Sequence, residues 1–159
     1  MFSIGTKVDS NDWGEDRWID LSKNLSNHYP EYSLILLGSS DEFEVSTRIV
    51  KAWHGESLNL CGKVSIRVSG AIIKKSSVFI GHNSGPIHLA ASVNASIVGI
   101  FSGSTRPGEW FPLEAKSTII YKQLECFGCG LQSCHIMKKE CIRSITVDEV
   151  IDATNQYLI

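Results

Sequence analysis

The chain has 159 residues, a formal net charge of −2 and a hydrophobic fraction of 43%. This length is typical of one domain with a buried core. The small net charge gives no electrostatic reason to expect nucleic acid or an anionic membrane as a partner. The sequence has no apolar run of about 18 residues and no charged-then-apolar leader. We therefore predict no transmembrane segment and expect a cytoplasmic protein.

Short runs of apolar, β-branched and aromatic residues predict six strands. They are residues 2–5, 32–37, 57–60, 77–80, 96–101 and 117–121. Helical patterns separate most of these runs, and such alternation predicts a parallel sheet covered on both faces, with right-handed crossovers. The predicted fold is α/β, a Rossmann-like doubly wound layer in which residues 1–159 form one domain.

The first two helices are predicted from capping signals and apolar spacing. One begins near Glu15 and presents an apolar face. The residues on that face are Trp18, Leu21 and Leu25. Ser39, followed three residues later by Glu42, has the pattern of a capping box and starts the second helix. That helix carries Val45, Ile49 and Trp53 at four-residue spacing.

Three further helices follow. Residues 63–75 form the first of them, with Ile66, Gly70 and Ile73 directed toward the sheet. The next begins at Pro86, whose fixed φ and missing N–H suit the first helical position. In the last, Thr146 and Glu149 form a capping box. The residues that then follow the helical period are Val147, Val150, Ile151, Thr154 and Leu158.

The segment HNSGPIHLAA, residues 82–91, joins a predicted buried strand to the helix at Pro86. At a helix start, several N–H groups lack intrahelical partners and the peptide dipoles leave partial positive charge, so an anionic oxygen is stabilised there. Gly85 allows close approach of the backbone. Side chains that can bond a sugar hydroxyl or a phosphate are Asn83, Ser84 and His88. The segment therefore has the outline of a nucleotide-sugar site.

An ordinary helix N-cap after a strand would explain the same residues, with His88 as a partly buried histidine. The strand at residues 96–101 favours the ligand site, because it completes a βαβ unit. In open α/β sheets, ligands bind outside the carboxyl ends of the strands, where this turn lies.

Four of the five cysteines lie near the end of the chain with the spacing C-x2-C-x4-C-x6-C: Cys126, Cys129, Cys134 and Cys141. Three interpretations stay open: a structural zinc or iron site, packing cysteines that are reduced or disulfide-paired, and a redox function. The generic zinc pattern is only half met, because the second pair is separated by six residues. His135 is expected at the surface. Cys61, which stands apart, is expected to be a small buried residue.

The order of motifs resembles the carboxy-terminal half of glycosyltransferase family 9, the ADP-heptose:lipopolysaccharide heptosyltransferases. The resemblance rests on the SGPIHLAA core, the cysteine spacing, IGT at residues 4–6 and WGEDRW at residues 13–18. LLG at residues 36–38, LCGK at residues 60–63 and VDEV at residues 147–150 also match. Trp13 and Trp18 are in any case expected to pack in the core. The resemblance implies one lobe of the two-lobed GT-B arrangement, the lobe that binds the nucleotide diphosphate sugar.

The resemblance also implies roles for individual residues. Thr6 falls where the family places a hydroxyl near the phosphates, and Lys7 can reach the same oxygens or remain a solvated surface lysine. Asn11 falls where many relatives carry a lysine against the diphosphate. Glu42 falls where the family contacts the ribose or base, beside its capping role. Asn83 replaces an aspartate common in relatives, which removes a charge and adds a donor.

By the same resemblance, the acceptor sugar and the general base belong to an amino-terminal lobe that this sequence lacks. No catalytic base is assigned here, and no cofactor is required. The implied reaction is an inverting displacement at the anomeric carbon, with the departing diphosphate stabilised by helix N–H groups, Ser84, Thr6 and Lys7. The implied partners are an ADP-heptose-like donor and a lipopolysaccharide-type or other glycan acceptor, reached at the inner membrane.

Two other functions remain open. A non-catalytic binding or assembly module, stabilised by metal at the four cysteines, would leave the pocket without a ligand. A sugar-nucleotide epimerase shares the GT-B arrangement, but it would also need the second lobe.

Overall fold

The computed structural model describes residues 1–112 and 116–158. Its six strands form one sheet in the order β3-β2-β1-β4-β5-β6, and every neighbouring pair is parallel. They are β1 (Phe2–Ser3), β2 (Leu34–Leu36), β3 (Ser57–Asn59), β4 (Phe79–His82), β5 (Ile97–Ile100) and β6 (Ser117–Ile120). The predicted Rossmann-like fold is confirmed. The order reverses between β1 and β4, so the connections leave in opposite directions there and open a crevice at the carboxyl edge.

Helices cover both faces of the sheet. They are α1 (Glu15–His28), α2 (Phe43–Lys51), α3 (Ile66–Ile73), α4 (Gly85–Ser92), α5 (Glu140–Arg143) and α6 (Val147–Asn155). Helices α1, α2 and α6 pack on one core cluster, and α3 and α4 pack on a second. Every residue of β4 and β5 is buried, as expected for central parallel strands that are covered on both faces.

Two tryptophans anchor the first core cluster. The Trp13 and Trp18 rings meet edge to face with centroids 5.2 Å apart, and both side chains are buried. The Trp13 Nε1–H donates to the Ile145 carbonyl at 2.9 Å, which ties the start of α1 to the segment before α6. The expected packing role of these two residues is confirmed.

Several predicted helix boundaries were wrong. Helix α3 begins at Ile66 rather than near residue 63, because the Ser65 hydroxyl caps it by accepting from the Val68 N–H at 3.4 Å. Gly70 and Ile73 are buried as predicted, but Ile66 is 72% exposed and does not face the sheet. A first-turn residue next to a cap lies at the rim of the layer, where the sheet no longer covers it. Helix α4 begins at Gly85, so Pro86 is its second residue.

The predicted capping box of Ser39 and Glu42 does not form. Ser39 precedes a short 3-10 turn, Ser40–Glu42, and Glu42 is the last residue of that turn. Helix α2 starts only at Phe43. The Ser39 hydroxyl donates to the Glu42 Oε1 at 2.8 Å instead of accepting from a helix N–H. Trp53 lies beyond the end of α2 yet remains in the core.

The last helix has the predicted capping box. The Thr146 hydroxyl accepts from the Glu149 N–H at 3.2 Å, and the Glu149 carboxylate accepts from the Thr146 N–H at 2.9 Å. Leu158 lies past the end of this helix, and the short helix α5 was not predicted. Over residues 1–112 and 116–158, the structure has no helix long and apolar enough to cross a membrane.

Replacing the capping hydroxyl tests this reading of α6. Thr146→Ala should lower the free energy of unfolding by about 1 kcal/mol, because it leaves helix N–H groups uncapped. Ser39→Ala is the matched control: its hydroxyl caps no helix, so the change should stay within about 0.5 kcal/mol. Urea denaturation of the two variants measures both changes in unfolding free energy. Equal losses in the two variants would contradict the capping role of Thr146.

Candidate functional site

A cleft of about 570 Å³ opens at the carboxyl ends of β1, β2 and β4, at the point where the strand order reverses. Seven of the nine predicted nucleotide-sugar residues line this cleft. They are Thr6, Lys7, Glu42, Asn83, Ser84, Gly85 and Pro86. Residues from three separate loops thus meet at one place, the crevice where open α/β sheets bind ligands.

The start of α4 forms one wall of the cleft. Ser84 is the N-cap residue, but its side chain makes no capping hydrogen bond. Among the residues that the structure describes, no group accepts a hydrogen bond from the N–H of Ser84 or Gly85. A Cβ added at Gly85 would meet nothing within 4 Å. The helix start therefore presents free N–H groups to open space, an arrangement that binds anions.

Lys7 is the only cation among the residues that line the cleft. Its side chain is exposed and stands after β1, next to Thr6. The Thr6 Oγ1 accepts from the Val8 N–H at 3.1 Å, which fixes the tight turn that carries Lys7. Lys7 and the start of α4 line the same cleft, so the lysine adds positive charge to that of the helix N-terminus.

Glu42 also lines the cleft. Its carboxylate lies directly over Gly5 and Gly38, where an added Cβ would approach its atoms within about 2 Å. The Oε1 accepts from the Ser39 hydroxyl at 2.8 Å, while the Oε2 is buried and has no partner among the described residues. The carboxylate is therefore held in place, with its second oxygen enclosed beside the two glycines. Gly5 and Gly38 were not predicted as site residues, although a glycine directly after each of two adjacent strands signals close packing.

An apolar wall completes the cleft. It consists of Leu37, Val64, Ile66, Ile73 and Leu89. The exposed Ile66 side chain, which was predicted to face the sheet, stands at this wall instead. A cleft with one apolar wall and a few converging polar groups is typical of a small-molecule site.

Asn11 and His88 do not line the cleft, so their predicted contact with a nucleotide sugar remains a prediction. Asn11 is only 5% exposed and donates from Nδ2 to the Asn83 carbonyl at 3.2 Å. His88 is exposed, and its ring packs edge to face on Trp110 with centroids 6.3 Å apart.

His82 lies fully buried behind the cleft. Its Nε2 accepts from the Trp13 N–H at 3.3 Å, and its ring packs on Trp18. Burial lowers the pKa of His82 to about 4, although the Asp12 charge and the Ile4 carbonyl oppose this shift. The imidazole is thus neutral and acts as an acceptor that fixes the turn leading into α1.

The cysteine segment packs beside the site without forming a metal centre. The Ser10 N–H and hydroxyl donate to the carbonyls of Gln132 and Leu131 at 2.9 and 2.7 Å, so this segment braces the turn Asp9–Asn11. Within residues 1–112 and 116–158, no three histidine, cysteine, aspartate or glutamate side chains are placed to hold a metal ion. All five cysteines are free thiols. Of the three interpretations left open for these cysteines, the structural metal is not supported by this arrangement of the described residues.

The thiols differ in their chemistry. N–H groups of Lys139, Met137 and Ile136 point at the Cys134 sulfur and hold its pKa below the usual value. Burial raises the pKa of Cys141, and the neighbouring thiols raise it further. Burial likewise raises the pKa of Cys61, which is buried as predicted. His135 is exposed, as expected.

A second cavity, of about 740 Å³, lies at the opposite edge of the sheet, at the amino ends of the strands. None of the predicted site residues lines it. Its walls are mainly apolar side chains of α3 and of the starts of β1, β2 and β4. The predicted ligand-binding residues therefore do not involve this cavity.

A family model described as glycosyltransferase family 9 (heptosyltransferase) matches residues 1–139. The chain belongs to glycosyltransferase family 9. This confirms the resemblance drawn from the SGPIHLAA segment and the surrounding motifs.

Relatives and solved structures agree with this assignment. Lipooligosaccharide heptosyltransferase 2 of Campylobacter jejuni is 27% identical over 113 residues, which are 70% of this chain and 35% of that protein. The structure of E. coli ADP-heptose lipopolysaccharide heptosyltransferase II has a TM-score of 0.79 and 21% identity, covering 98% of this chain and 45% of that one. The structure of a family 9 glycosyl transferase from Veillonella parvula has a TM-score of 0.80 and 20% identity, covering 98% of this chain and 44% of that one.

At these identities, the two solved structures show the fold alone. The chain spans 35% of the Campylobacter relative and 45% of the E. coli structure. The activity of those longer proteins is therefore not attributed to this chain by likeness.

The burial of His82 predicts a pH-dependent stability. Between pH 6.5 and pH 4 the unfolded chain binds a proton at this residue that the folded chain does not bind, so stability falls as the pH is lowered. His82 alone should contribute a loss of about 2 kcal/mol between about pH 7 and pH 5, measured by denaturant unfolding. The buried amino group of Met1, whose pKa burial lowers to about 5, adds a loss of the same sign in this range, so the titration of His82 is followed separately through its ring resonance. A His82 ring resonance that titrates near pH 6.5 in the folded protein would contradict this expectation.

The thiol environments predict an order of chemical reactivity. Cys134 should react with iodoacetamide at neutral pH before Cys61 and Cys141, because the thiolate is the nucleophile and only Cys134 combines partial exposure with a lowered pKa. Peptide mass spectrometry after brief labelling measures the order. Equal labelling of these three residues in the folded protein would show that the N–H groups do not stabilise the Cys134 thiolate.

Proposed function

We propose that this chain is the donor-binding part of a glycosyltransferase that takes a nucleotide diphosphate sugar of the ADP-heptose type. The proposed acceptor is a lipopolysaccharide-type or other glycan, which would place the protein in the cytoplasm at the inner membrane. One observation carries the proposal: the cleft at the strand reversal brings together free helix N–H groups, a lysine and a partly buried carboxylate. The similar E. coli protein is an ADP-heptose lipopolysaccharide heptosyltransferase, which supports the same donor class.

The diphosphate would bind at the start of α4. The N–H groups of Ser84 and Gly85 and the Ser84 hydroxyl are donors on one side, and Lys7 supplies positive charge from the other. Because the helix dipole and the lysine act on the same anion, the charge of the diphosphate is partly balanced without a metal ion. Gly85 leaves room for a phosphate oxygen to approach the backbone closely.

The nucleoside would extend along the part of the cleft that contains Glu42. An ionised carboxylate only accepts hydrogen bonds, so Glu42 suits a ribose hydroxyl and not a phosphate. An acidic side chain after the second strand has this role in many dinucleotide-binding folds. The apolar wall at Val64 and Ile66 is suited to the face of a base.

The proposed chemistry is an inverting displacement at the anomeric carbon of the donor. This chain would stabilise the leaving diphosphate as the bond to the sugar breaks and negative charge develops on the leaving oxygen. One well-aimed donor of this kind typically lowers a barrier by roughly 3 to 4 kcal/mol. The acceptor and the base that takes its proton would come from an amino-terminal lobe, in keeping with the greater length of the relatives.

The metal-stabilised assembly module and the epimerase remain alternative hypotheses without a favouring observation. The first requires metal at the cysteine segment, where the described residues do not converge on an ion. Metal analysis of the purified protein distinguishes the assembly module from the donor-binding function. About one zinc or iron per chain together with no nucleotide affinity would favour the module.

Substitutions in the cleft test the donor site. Gly85→Val should weaken ADP binding at least tenfold, because its side chain would fill the space that a phosphate oxygen needs. Lys7→Ala should weaken binding about tenfold, since a charge-assisted hydrogen bond is worth roughly 1.5 to 3 kcal/mol. Isothermal titration of the wild-type chain and the variants with ADP measures these changes.

Lys51→Ala is the control for Lys7, because Lys51 is an exposed lysine at the end of α2 and lies outside the cleft. It should leave the affinity unchanged. Absence of ADP binding by the wild-type chain at millimolar concentration would refute the proposed donor site.

A further inference from the structure

A buried polar network lies directly behind the start of α4. The Asn11 Nδ2 donates to the Asn83 carbonyl at 3.2 Å, and the Asn11 Oδ1 accepts from the Ser102 hydroxyl at 2.6 Å. The hydroxyls of Ser102 and Ser104 lie 2.6 Å apart. The three side chains other than Asn83 are 2–6% exposed, so water does not compete for these bonds.

The network joins the segments that follow three adjacent strands. Asn11 ends the turn after β1, Asn83 follows β4, and Ser102 and Ser104 follow β5. The cysteine segment holds the same turn from outside through Ser10. The network therefore fixes the positions of these three loops at the carboxyl edge of the sheet, where the cleft opens.

The amide of Asn11 is chemically suited to this position. It must donate to a carbonyl oxygen at one end and accept from a hydroxyl at the other, and a primary amide does both. A carboxylate could not donate to the Asn83 carbonyl, and an ammonium group could not accept from Ser102. Both polar atoms of the amide are engaged and Asn11 is only 5% exposed, so its side chain is not presented to a ligand.

The bond to Asn83 also sets the direction of an N–H group in the cleft. The Asn83 carbonyl and the Ser84 N–H belong to the same planar trans peptide, so they point in opposite directions. When Asn11 holds the carbonyl, the Ser84 N–H must point away from Asn11. Asn83 and Ser84 line the cleft whereas Asn11 does not, so the N–H is directed to the cleft side.

Few other side-chain contacts restrain this peptide. In the described part of the chain, the turn's other side-chain bond runs from the Ser84 hydroxyl to the His82 carbonyl and is 3.5 Å long. The bond from Asn11 is shorter and comes from a distant segment, so it restrains the orientation of the Asn83–Ser84 peptide more strongly.

We propose that Asn11, held by Ser102, is a positioning residue that aims the Ser84 N–H at the bound diphosphate without touching the ligand. This inference rests on the proposed function of the cleft. Ser102 is buried and does not line the cleft, yet it should contribute to the affinity for nucleotide.

Two buried serines provide a matched test. Ser102→Ala removes the donor to Asn11, while Ser22→Ala removes a buried hydroxyl that donates to the Ile49 carbonyl at 3.0 Å, far from the cleft. We expect Ser102→Ala to weaken ADP binding at least fivefold by isothermal titration, and Ser22→Ala to leave it within twofold, at similar losses of thermal stability. Asn11→Ala should weaken binding at least as much as Ser102→Ala. Unchanged affinity in both Ser102→Ala and Asn11→Ala would overturn the proposal.

A measurement without ligand separates this inference from the proposed function. In ¹⁵N-resolved NMR spectra of the free chain, Ser102→Ala should shift the amide resonances of Ser84 and Gly85, whereas Ser22→Ala should not. If the wild-type chain bound no ADP, the proposed function would fail while these shifts would still decide the positioning role. Amide resonances of Ser84 and Gly85 that stay unmoved in Ser102→Ala would overturn it.

Discussion

The reversal of strand order between β1 and β4 creates the cleft and determines which loops meet there. Parallel strands need crossover helices, and at the reversal these crossovers leave toward opposite edges, so no connection covers the carboxyl ends there. The cleft results from this topology. The fully buried strands β4 and β5 and the tryptophan pair hold the sheet rigid beneath it. Side chains from separate loops can therefore meet with little freedom to move apart.

The electrostatics of the cleft follow from where each loop ends. Helix α4 contributes free N–H groups and partial positive charge, and Lys7 contributes a full charge from the loop after β1. Glu42 lies in the same cleft, held over Gly5 and Gly38. The cleft thus combines positive charge that suits an anion with a carboxylate that suits a hydroxyl-bearing group. Asn11, Ser102 and His82 are neutral and buried, and they orient the backbone from behind without adding charge.

The sequence predicted the fold well because its strongest signals are local. The alternation of apolar runs and helices predicted all six strands, and the Thr146 and Glu149 pattern predicted the last cap. Seven predicted site residues line the cleft: those of residues 83–86 were predicted from the helix start, and Thr6, Lys7 and Glu42 from the family resemblance. The failures concern tertiary contacts: Ser39 and Glu42 have the pattern of a cap, but packing over Gly5 and Gly38 directs the carboxylate into the cleft. The pairing of Asn11 with Ser102, 91 positions apart, leaves no local signal.

A crystal structure of this chain with ADP would show directly whether the cleft binds a nucleotide diphosphate. We expect a diphosphate oxygen within hydrogen-bonding distance of the Ser84 or Gly85 N–H, with Lys7 beside it and a ribose hydroxyl at Glu42. ADP bound at the apolar cavity on the opposite edge of the sheet, or against the cysteine segment with the cleft left empty, would contradict this expectation.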